Sequence, residues 1–459
     1  MSISKILAEF VAATKYKDIP DHVIQNQKKS IMDAVGITFG ASTLGDGCKE
    51  MVKIAEALSA GGEGEATVIG FNKKLPMSWA AFANASMAHS LDFGDTHDKS
   101  TIHSNASSFP AALAVAEKMG NVSGRDLIAA LVLGSETAIR IALAADVNTV
   151  EYGFYIPTIY SSYSATAAVA KLMGLSAEQI VSAFSFNLCQ TMCSSELTNN
   201  KATVIRSIRE AFAARNAIVA CCMAKENLIG FEEPLEGKLG FYHTFLRGSY
   251  TAGRVTDGLG KKWESAELTY KVWPCCFGVH SPITGVLGLM KKHRIKADDI
   301  HHIEISIGAQ NHMLFEPLQE RRNPETAIVG KFSIPFSVAV AVLNSTVTID
   351  SYSDECLRDE KTRALAAKID YIYRNDWQRG KETYANIVID TSKGVFETFI
   401  SSPMGTPENP MDDDAFEAKF DSCVSKAFYA VEQGRIGKIK SIIREMEILP
   451  DIGSFTSLL

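Results

Sequence analysis

The sequence predicts a mainly α-helical protein, a large all-helical domain with a smaller α+β domain placed before a helical tail. Three observations predict it. Apolar residues recur at helical spacing from the start to about residue 265. After "ESAELTYKVWPCC" the texture changes to alternation of period two. Helical periodicity then returns in "DAFEAKFDSCVSKAFYAVEQGRIGKIKSIIREME". At 459 residues the chain also exceeds what one hydrophobic core usually serves, which favours two domains.

The first strong helix is "DHVIQNQKKSIMDAVGITFG", where Ile24, Ile31, Val35 and Phe39 share a stripe, a Pro-Asp start signal precedes and Gly40 lies near the end. Similar windows follow in "MSWAAFANASMAHSL", "FPAALAVAEKMG", "GRDLIAALVLGSETAIRIALAA" and "REAFAARNAIVACCMAKENLIG". Their Ala, Gly and Ser content predicts closely packed helices buried on most sides. One stripe ends near Leu91, and Phe109 and Pro110 open the next helix because Pro is tolerated in a first turn, so residues 92–108 are read as a loop.

In the α+β part, strands are predicted in "IHHIEISIG" (Ile303, Ile305, Ile307), in "STVTID", and on both sides of Ser392–Gly394 in "YANIVIDTSKGVFETFI". Helices are predicted between them in "PFSVAVAVLN" and "DEKTRALAAKI". This places the helical domain at 1–267 and 402–459, and the α+β domain at 268–401.

A hydrophobic fraction of 46% with 22% charged residues is that of a globular protein. The formal charge of −7 is mild and spread out, which argues against nucleic acid or an anionic membrane as partner and favours a small molecule. The start lacks a secretory signal, and no run reaches the roughly 18 apolar residues of a bilayer span. The expected location is cytoplasmic. Nine cysteines without a CxxC announce neither a zinc site nor a redox pair, and most are expected to be buried thiols.

Three stretches carry chemistry. "HSLDFGDTHDKSTIHS", residues 89–104, holds three histidines and three aspartates in a chain with only 10 His. Imidazole titrates near neutral pH and a carboxylate can fix its tautomer, so His97 or His103 beside Asp92 or Asp95 has the makings of a general acid/base. Helix capping by Asp and Ser is the competing reading. A divalent ion on Asp92, Asp95 and His97, as in a metal-dependent hydrolase, is another, although the spacing matches no zinc pattern.

In "ATVIRSIREAFAARNA", Arg206 and Arg209 share a helix face, with Arg215 beyond, and could clamp a carboxylate or pair with Glu210 or Glu196. In "YKVWPCCFGVHSP", Lys271 could act as a base, or Cys275 or Cys276 as a nucleophile partnered by His280.

Four stretches in order resemble motifs of the MmgE/PrpD family, which includes 2-methylcitrate dehydratase, cis-aconitate decarboxylase and iminodisuccinate epimerase. They are "HSLDFGDTH", "YKVWPCCFGVHSP", "GKFSIPFSVA" and "MGTPENPMDDDAFEAKF", and the resemblance covers nearly the whole chain. It implies a helical domain built from both chain ends, an α+β lid, a homodimer, and an active site in the cleft between domains that needs no metal or organic cofactor. It also implies small di- or tricarboxylate substrates and proton transfer next to a carboxylate.

By motif position, Asp92, Thr96, His103 and Lys271 fall on active-site residues, and Cys276 falls where the decarboxylases carry a histidine. Two stretches depart from the family. "GFYIPT" puts Tyr155 where relatives carry a histidine, and "IRSIREA" puts Arg206 and Arg209 where they carry lysine and histidine. Arginine stays protonated, so it holds a carboxylate rather than acting as a base.

The combined expectation is a cofactor-independent lyase or isomerase, with hydratase- or dehydratase-like elimination first. Epimerisation of an amino- or imino-dicarboxylate, decarboxylation of an unsaturated tricarboxylate, a metal-dependent hydrolase and an inactive carboxylate binder are the alternatives. His103, oriented by Asp92, and Lys271 are the expected acid/base pair, with Tyr155 donating to the developing enolate or leaving group. Thr96, His97, Arg206, Arg209, Cys276 and His280 are the expected substrate contacts.

Overall fold

Small residues let helices approach closely, and the helical part of the chain is built on that. In the computed structural model, which describes residues 2–147, 152–199, 203–377 and 380–459, the chain divides into Met1–Leu268 with Glu417–Leu459, and Thr269–Phe416. The described residues form 21 α-helices and six strands, a mainly α protein with a smaller α+β part.

In the first unit, Gly134 on the helix Gly124–Leu143 faces the helix Ile156–Leu172, where a Cβ would come within 2.5 Å of the Ser164 carbonyl. Both helices are buried along most of their length, as the Ala-rich window of the first implies. The helix Asp21–Leu44 ends one turn beyond Gly40. A Cβ on Gly40 would lie 3.1 Å from the Cys423 carbonyl, so this glycine serves helix contact with Asp413–Val424 rather than chain termination.

The loop prediction also needs correction. The helix Ser104–Met119 begins five residues before Phe109, and Pro110 lies inside it. Ser and Asn here read as turn residues in isolation. In the fold their side chains find helix-compatible partners: Ser104 donates to Ser135, Ser108 to the Ser104 carbonyl and Asn105 to Asp95. The connection is therefore 89–103.

The chain's tail docks on the first unit through backbone hydrogen bonds. Gly124 N–H donates to the Leu449 carbonyl at 3.0 Å, Ile452 to Val122 at 2.9 Å and Gly70 to Leu459 at 3.0 Å. A short antiparallel pair, Ala66–Val68 with Lys73–Leu75, was not anticipated.

The second unit is a four-stranded sheet in the order Ile369–Arg374, Ile300–Gly308, Ala385–Thr391, Gly394–Ile400. The first pair is parallel and the others antiparallel. The alternating isoleucines Ile303, Ile305, Ile307, Ile387 and Ile389 join one apolar core with Val286, Leu289, Phe336 and Val340 from the helices His280–His293 and Ile334–Asn344. Gly285 permits close helix-to-sheet contact, since a Cβ would meet Ile387 at 2.4 Å.

"STVTID" is not a strand. Ser345 takes φ +61 and Ile349–Tyr352 forms a 3-10 turn, with the Ser351 hydroxyl accepting from Thr348 N–H. Local hydrogen bonding by Ser and Thr wins over β-branching there. The strand Ile369–Arg374 was missed because it follows directly on the helix Glu360–Ala366. Residues 402–416, grouped with the helical domain on sequence, lie in the second unit. Among the described residues no helix is long and apolar enough to cross a membrane.

The tail contact is testable. A Cβ on Gly124 would sit 1.8 Å from the Met446 carbonyl. Gly124→Ala is expected to lower stability by about 1–3 kcal/mol, read as an earlier urea-unfolding midpoint. An unchanged midpoint would show that the tail yields freely.

Candidate active site

The loop 89–103 joins two buried helices, Met77–Ala88 and Ser104–Met119, so both of its ends are fixed. Within it His97 N–H donates to the Ile102 carbonyl at 2.9 Å, closing a tight bridge. Asp92 adopts φ +51, a left-handed conformation that Asp tolerates better than most residues. His89, Asp92, Asp95, Thr96 and His97 are buried, whereas His103 is partly exposed.

His103 Nδ1 lies 2.9 Å from the backbone carbonyl of Asp95. A carbonyl only accepts, so Nδ1 carries the proton and Nε2 is left with the basic lone pair. The His89 ring packs on His103 with centroids 4.0 Å apart. Asp92 Oδ1 lies 3.6 Å from His89 Nε2 and 3.5 Å from Arg206 Nη2. The expected aspartate-to-histidine orientation is thus divided: Asp92 faces His89 and Arg206, and the Asp95 carbonyl sets the His103 tautomer.

Behind this row lies a buried carboxylate pair. The Asp95 carboxylate accepts from Asn105 Nδ2 at 2.8 Å, and Asn105 in turn accepts from Gln27. Burial, reinforced by the nearby Asp33, pushes the Asp95 carboxyl up to about 6. Asp33 pairs with Lys419 at 2.6 Å.

Arg206 and Arg209 do not act as one clamp. Arg209 is fully buried, donates from Nε to Thr158 at 2.9 Å and pairs with Glu210 at 3.2 Å. Glu210 also accepts from Thr158 and Ser107. The Glu210 pairing weighed from sequence is therefore formed by Arg209, while Arg206 turns to Asp92. Both guanidinium groups lie over the Tyr155 ring, at 5.9 and 5.1 Å from its centroid. Arg215 lies over Trp79 and Phe82 instead.

His97 Nδ1 contacts the Ser100 hydroxyl at 2.7 Å, and its Nε2 is buried with no hydrogen-bond partner among the described residues. Burial holds this imidazole down at about 4, outweighing the opposing pull of Glu264, so it is neutral at pH 7. Among the described residues no group of three or more His, Cys, Asp and Glu could hold a metal ion, so the Asp92, Asp95 and His97 set does not form one.

In the second unit, Lys271 and His280 are buried. Tyr270 N–H donates to the Gly405 carbonyl at 2.9 Å, where Gly405 takes φ +100 and a Cβ would lie 2.1 Å from the Tyr270 carbonyl. The "GTPENP" stretch is therefore a glycine-dependent turn that holds the backbone beside Lys271. Cys276 N–H donates to the carbonyl of the buried Lys331 at 2.9 Å. The His280 ring packs against Trp273 and Phe277.

Sequence reasoning missed His89 as a partner of His103, although it heads the same motif. Asp33 and Lys419 carry no local signal, since their neighbours are far away along the chain.

Two buried groups give opposite pH signatures. His97 refuses its proton when folded, so the unfolded chain binds more protons between pH 6.5 and about 4 and stability falls as pH drops. Asp95 keeps its proton when folded, so between 3.8 and about 6 stability falls as pH rises. His97→Asn should gain on the wild type as pH falls through the first window, and Asp95→Asn as pH rises through the second, each by on the order of 3 kcal/mol. Urea midpoints measured from pH 4 to 7 read both, and differences that do not vary with pH contradict the assignment.

Residues 5–252 match the MmgE/PrpD N-terminal domain, and residues 273–445 match the MmgE/PrpD C-terminal domain. The chain is similar to the cis-aconitate decarboxylase-like protein oryM of Aspergillus oryzae, at 25% identity over 100% of this chain and 97% of that protein. It is similar to the cis-aconitate decarboxylase of Aspergillus terreus at 23% identity, over 96% of this chain and 92% of the relative. The Homo sapiens cis-aconitate decarboxylase is 24% identical over 100% of this chain and 94% of its own. With both domains of the family matched across most of its length, the chain belongs to the MmgE/PrpD family.

Proposed function

We propose that the chain is a lyase that generates and quenches a carbanion next to a carboxylate of a small di- or tricarboxylate, with hydratase- or dehydratase-like elimination as its main reaction. The observation that carries this reading is the His103 tautomer: Nδ1–H is held by the Asp95 carbonyl, and Nε2 is left as a base on a partly exposed ring. An imidazole so held can take the α-proton and return it within one turnover.

The negative charge that develops on the substrate carboxylate needs a fixed cation and a donor. Arg206 supplies the first. Tyr155, over which both arginines lie, supplies the second. Arg209, already paired with Glu210, positions Tyr155 and completes the positive field. Lys271 is assigned as the second acid/base group on its motif position, and Thr96, His97, Cys276 and His280 as substrate contacts on the same ground. A homodimer in the cytoplasm is part of the proposal, and light scattering on the purified protein reads the oligomer.

Decarboxylation is the second reading, favoured by what the relatives are named for. Elimination and epimerisation both begin with loss of the α-proton, after which a β leaving group departs or a proton returns to the other face, whereas decarboxylation forms its carbanion by losing carbon dioxide. Incubation with cis-aconitate, and with succinate, malate, citrate and aspartate derivatives, in deuterated water separates them by NMR. Hydrated or dehydrated product supports elimination, carbon dioxide release supports decarboxylation, and deuterium at an unchanged skeleton supports epimerisation. No exchange into any of them leaves a carboxylate binder and refutes catalysis.

On whichever compound turns over, His103→Ala and Lys271→Ala are each expected to lower kcat by about 10²- to 10⁴-fold, the range for a lost acid/base group. Arg206→Ala should mainly raise KM, about tenfold, if its contact with the carboxylate is made in the ground state. Wild-type kinetics in His103→Ala would remove the base from the proposal.

A further inference from the structure

The Asp95 side chain has no part in the chemistry described so far, yet it lies against the proposed base. A chamber of about 10 Å³, the size of one water molecule, is lined by Asp95, Asp33, His89, His103 and Asn105 with the small residues Ala34, Ala88, Gly94 and Ala106. Two acidic residues and two histidines thus line one small space. The same Asp95 residue also holds His103 Nδ1–H through its backbone carbonyl.

We infer that Asp95 is the positioning residue of His103: its carbonyl fixes the ring's tautomer, and its carboxyl, on a residue that lines the same small chamber, governs how readily the ring takes up a proton. The inference rests on the reading of His103 as the acid/base group. When Asp95 is ionised, its charge favours imidazolium; when it is protonated, that pull is gone and His103 is released as a neutral base. The two groups then titrate as a pair rather than separately.

The groups facing Asp95 set where this happens. Asp33 and Ser30 come from the helix Asp21–Leu44, Asn105 from Ser104–Met119 and Lys419 from Asp413–Val424. His89 and His103 line the chamber, with Asp92 and Arg206 beyond His89. Burial and Asp33 favour the protonated carboxyl, while Ser30, Asn105 and Lys419 oppose them, which leaves the group poised near neutrality, at about 6. A carboxyl kept there can respond to the charge on a neighbouring imidazole. An ordinary surface carboxylate, ionised throughout this range, cannot.

The test needs no substrate. Diethylpyrocarbonate modifies neutral imidazole, and His103 is partly exposed, so its modification rate from pH 5 to 8, located by mass spectrometry, reports its titration. In Asp95→Asn the backbone carbonyl and the neutral hydrogen bonds persist but the charge does not. The midpoint for His103 is expected to fall by about 0.5–1 pH unit, a three- to tenfold easier loss of the ring proton. A midpoint within 0.2 unit of wild type overturns the inference and leaves Asp95 a purely structural group.

If Asp95→Asn does not fold, the wild-type profile decides: two coupled steps support the inference, and a single unperturbed step overturns it. Failure of the catalytic reading is separable, because it would show as full turnover in His103→Ala while the midpoint shift persisted.

Discussion

The buried pair between Lys419 and Asp33 is the interaction on which the candidate site depends. The ammonium lies 2.6 Å from the Asp33 carboxylate, donates to the Phe93 carbonyl at 2.8 Å and stands 4.1 Å from the centre of the Phe93 ring. Either charge left alone in the interior costs several kcal/mol, so the folded chain has to bring them together. Doing so ties three distant pieces of sequence: the helix Asp21–Leu44, the loop 89–103 and the tail helix Asp413–Val424. Two glycines make the approach possible. Gly36 lies under Phe420, where a Cβ would stand 2.9 Å from the ring, and Gly40 lies under Cys423. The loop that carries His103 is therefore fixed by a cation more than 300 residues away along the chain.

The same logic recurs wherever the Ala-rich helices meet. Smooth faces of Ala, Gly and Ser pack well but give little resistance to sliding. Buried polar contacts supply the register. Arg140 pairs with Glu136 and donates to the carbonyls of Val255, Asp257 and Lys262, while Glu136 accepts from Ser265 N–H. Arg209, Glu210, Thr158 and Ser107 form a second such knot, joining three helices beneath Tyr155. A buried charged network of this kind disfavours slippage, because a shift of one residue would strand a charge.

The sequence was legible where periodicity is long and partners are near. The buried helices, the strand around Ile303–Ile307 and the hairpin about Ser392–Gly394 all follow from apolar spacing. One boundary failed where tertiary contacts overrode a local signal: Pro110 reads as a first-turn residue but lies inside a helix, whose start is held by a buried Ser and Asn network. In the site, the density of His and Asp singled out the loop, and the Arg206 and Arg209 pair was visible as charge inside an apolar segment. What could not be seen was who faces whom. Arg209 and Arg206 share a helix face yet take different carboxylates, and Asp33 is an unremarked polar residue in a helix until Lys419 arrives.

The departures at Tyr155, Arg206 and Arg209 change the balance of the site in a definite direction. At these three positions the chain carries two permanent cations and a phenol. His89 and His103 bring two imidazoles to the same loop, with ring centroids 4.0 Å apart. The added charge is not left bare. Glu210 takes up Arg209 in a buried pair, whereas Arg206 meets Asp92 at 3.5 Å, longer than the 2.7–2.9 Å of a strong charge-assisted bond. Asp92 is thereby shared between Arg206 and His89, whose Nε2 lies 3.6 Å away. One carboxylate thus faces both a permanent cation and a titratable imidazole, and any change in charge on one side is felt by the other through it.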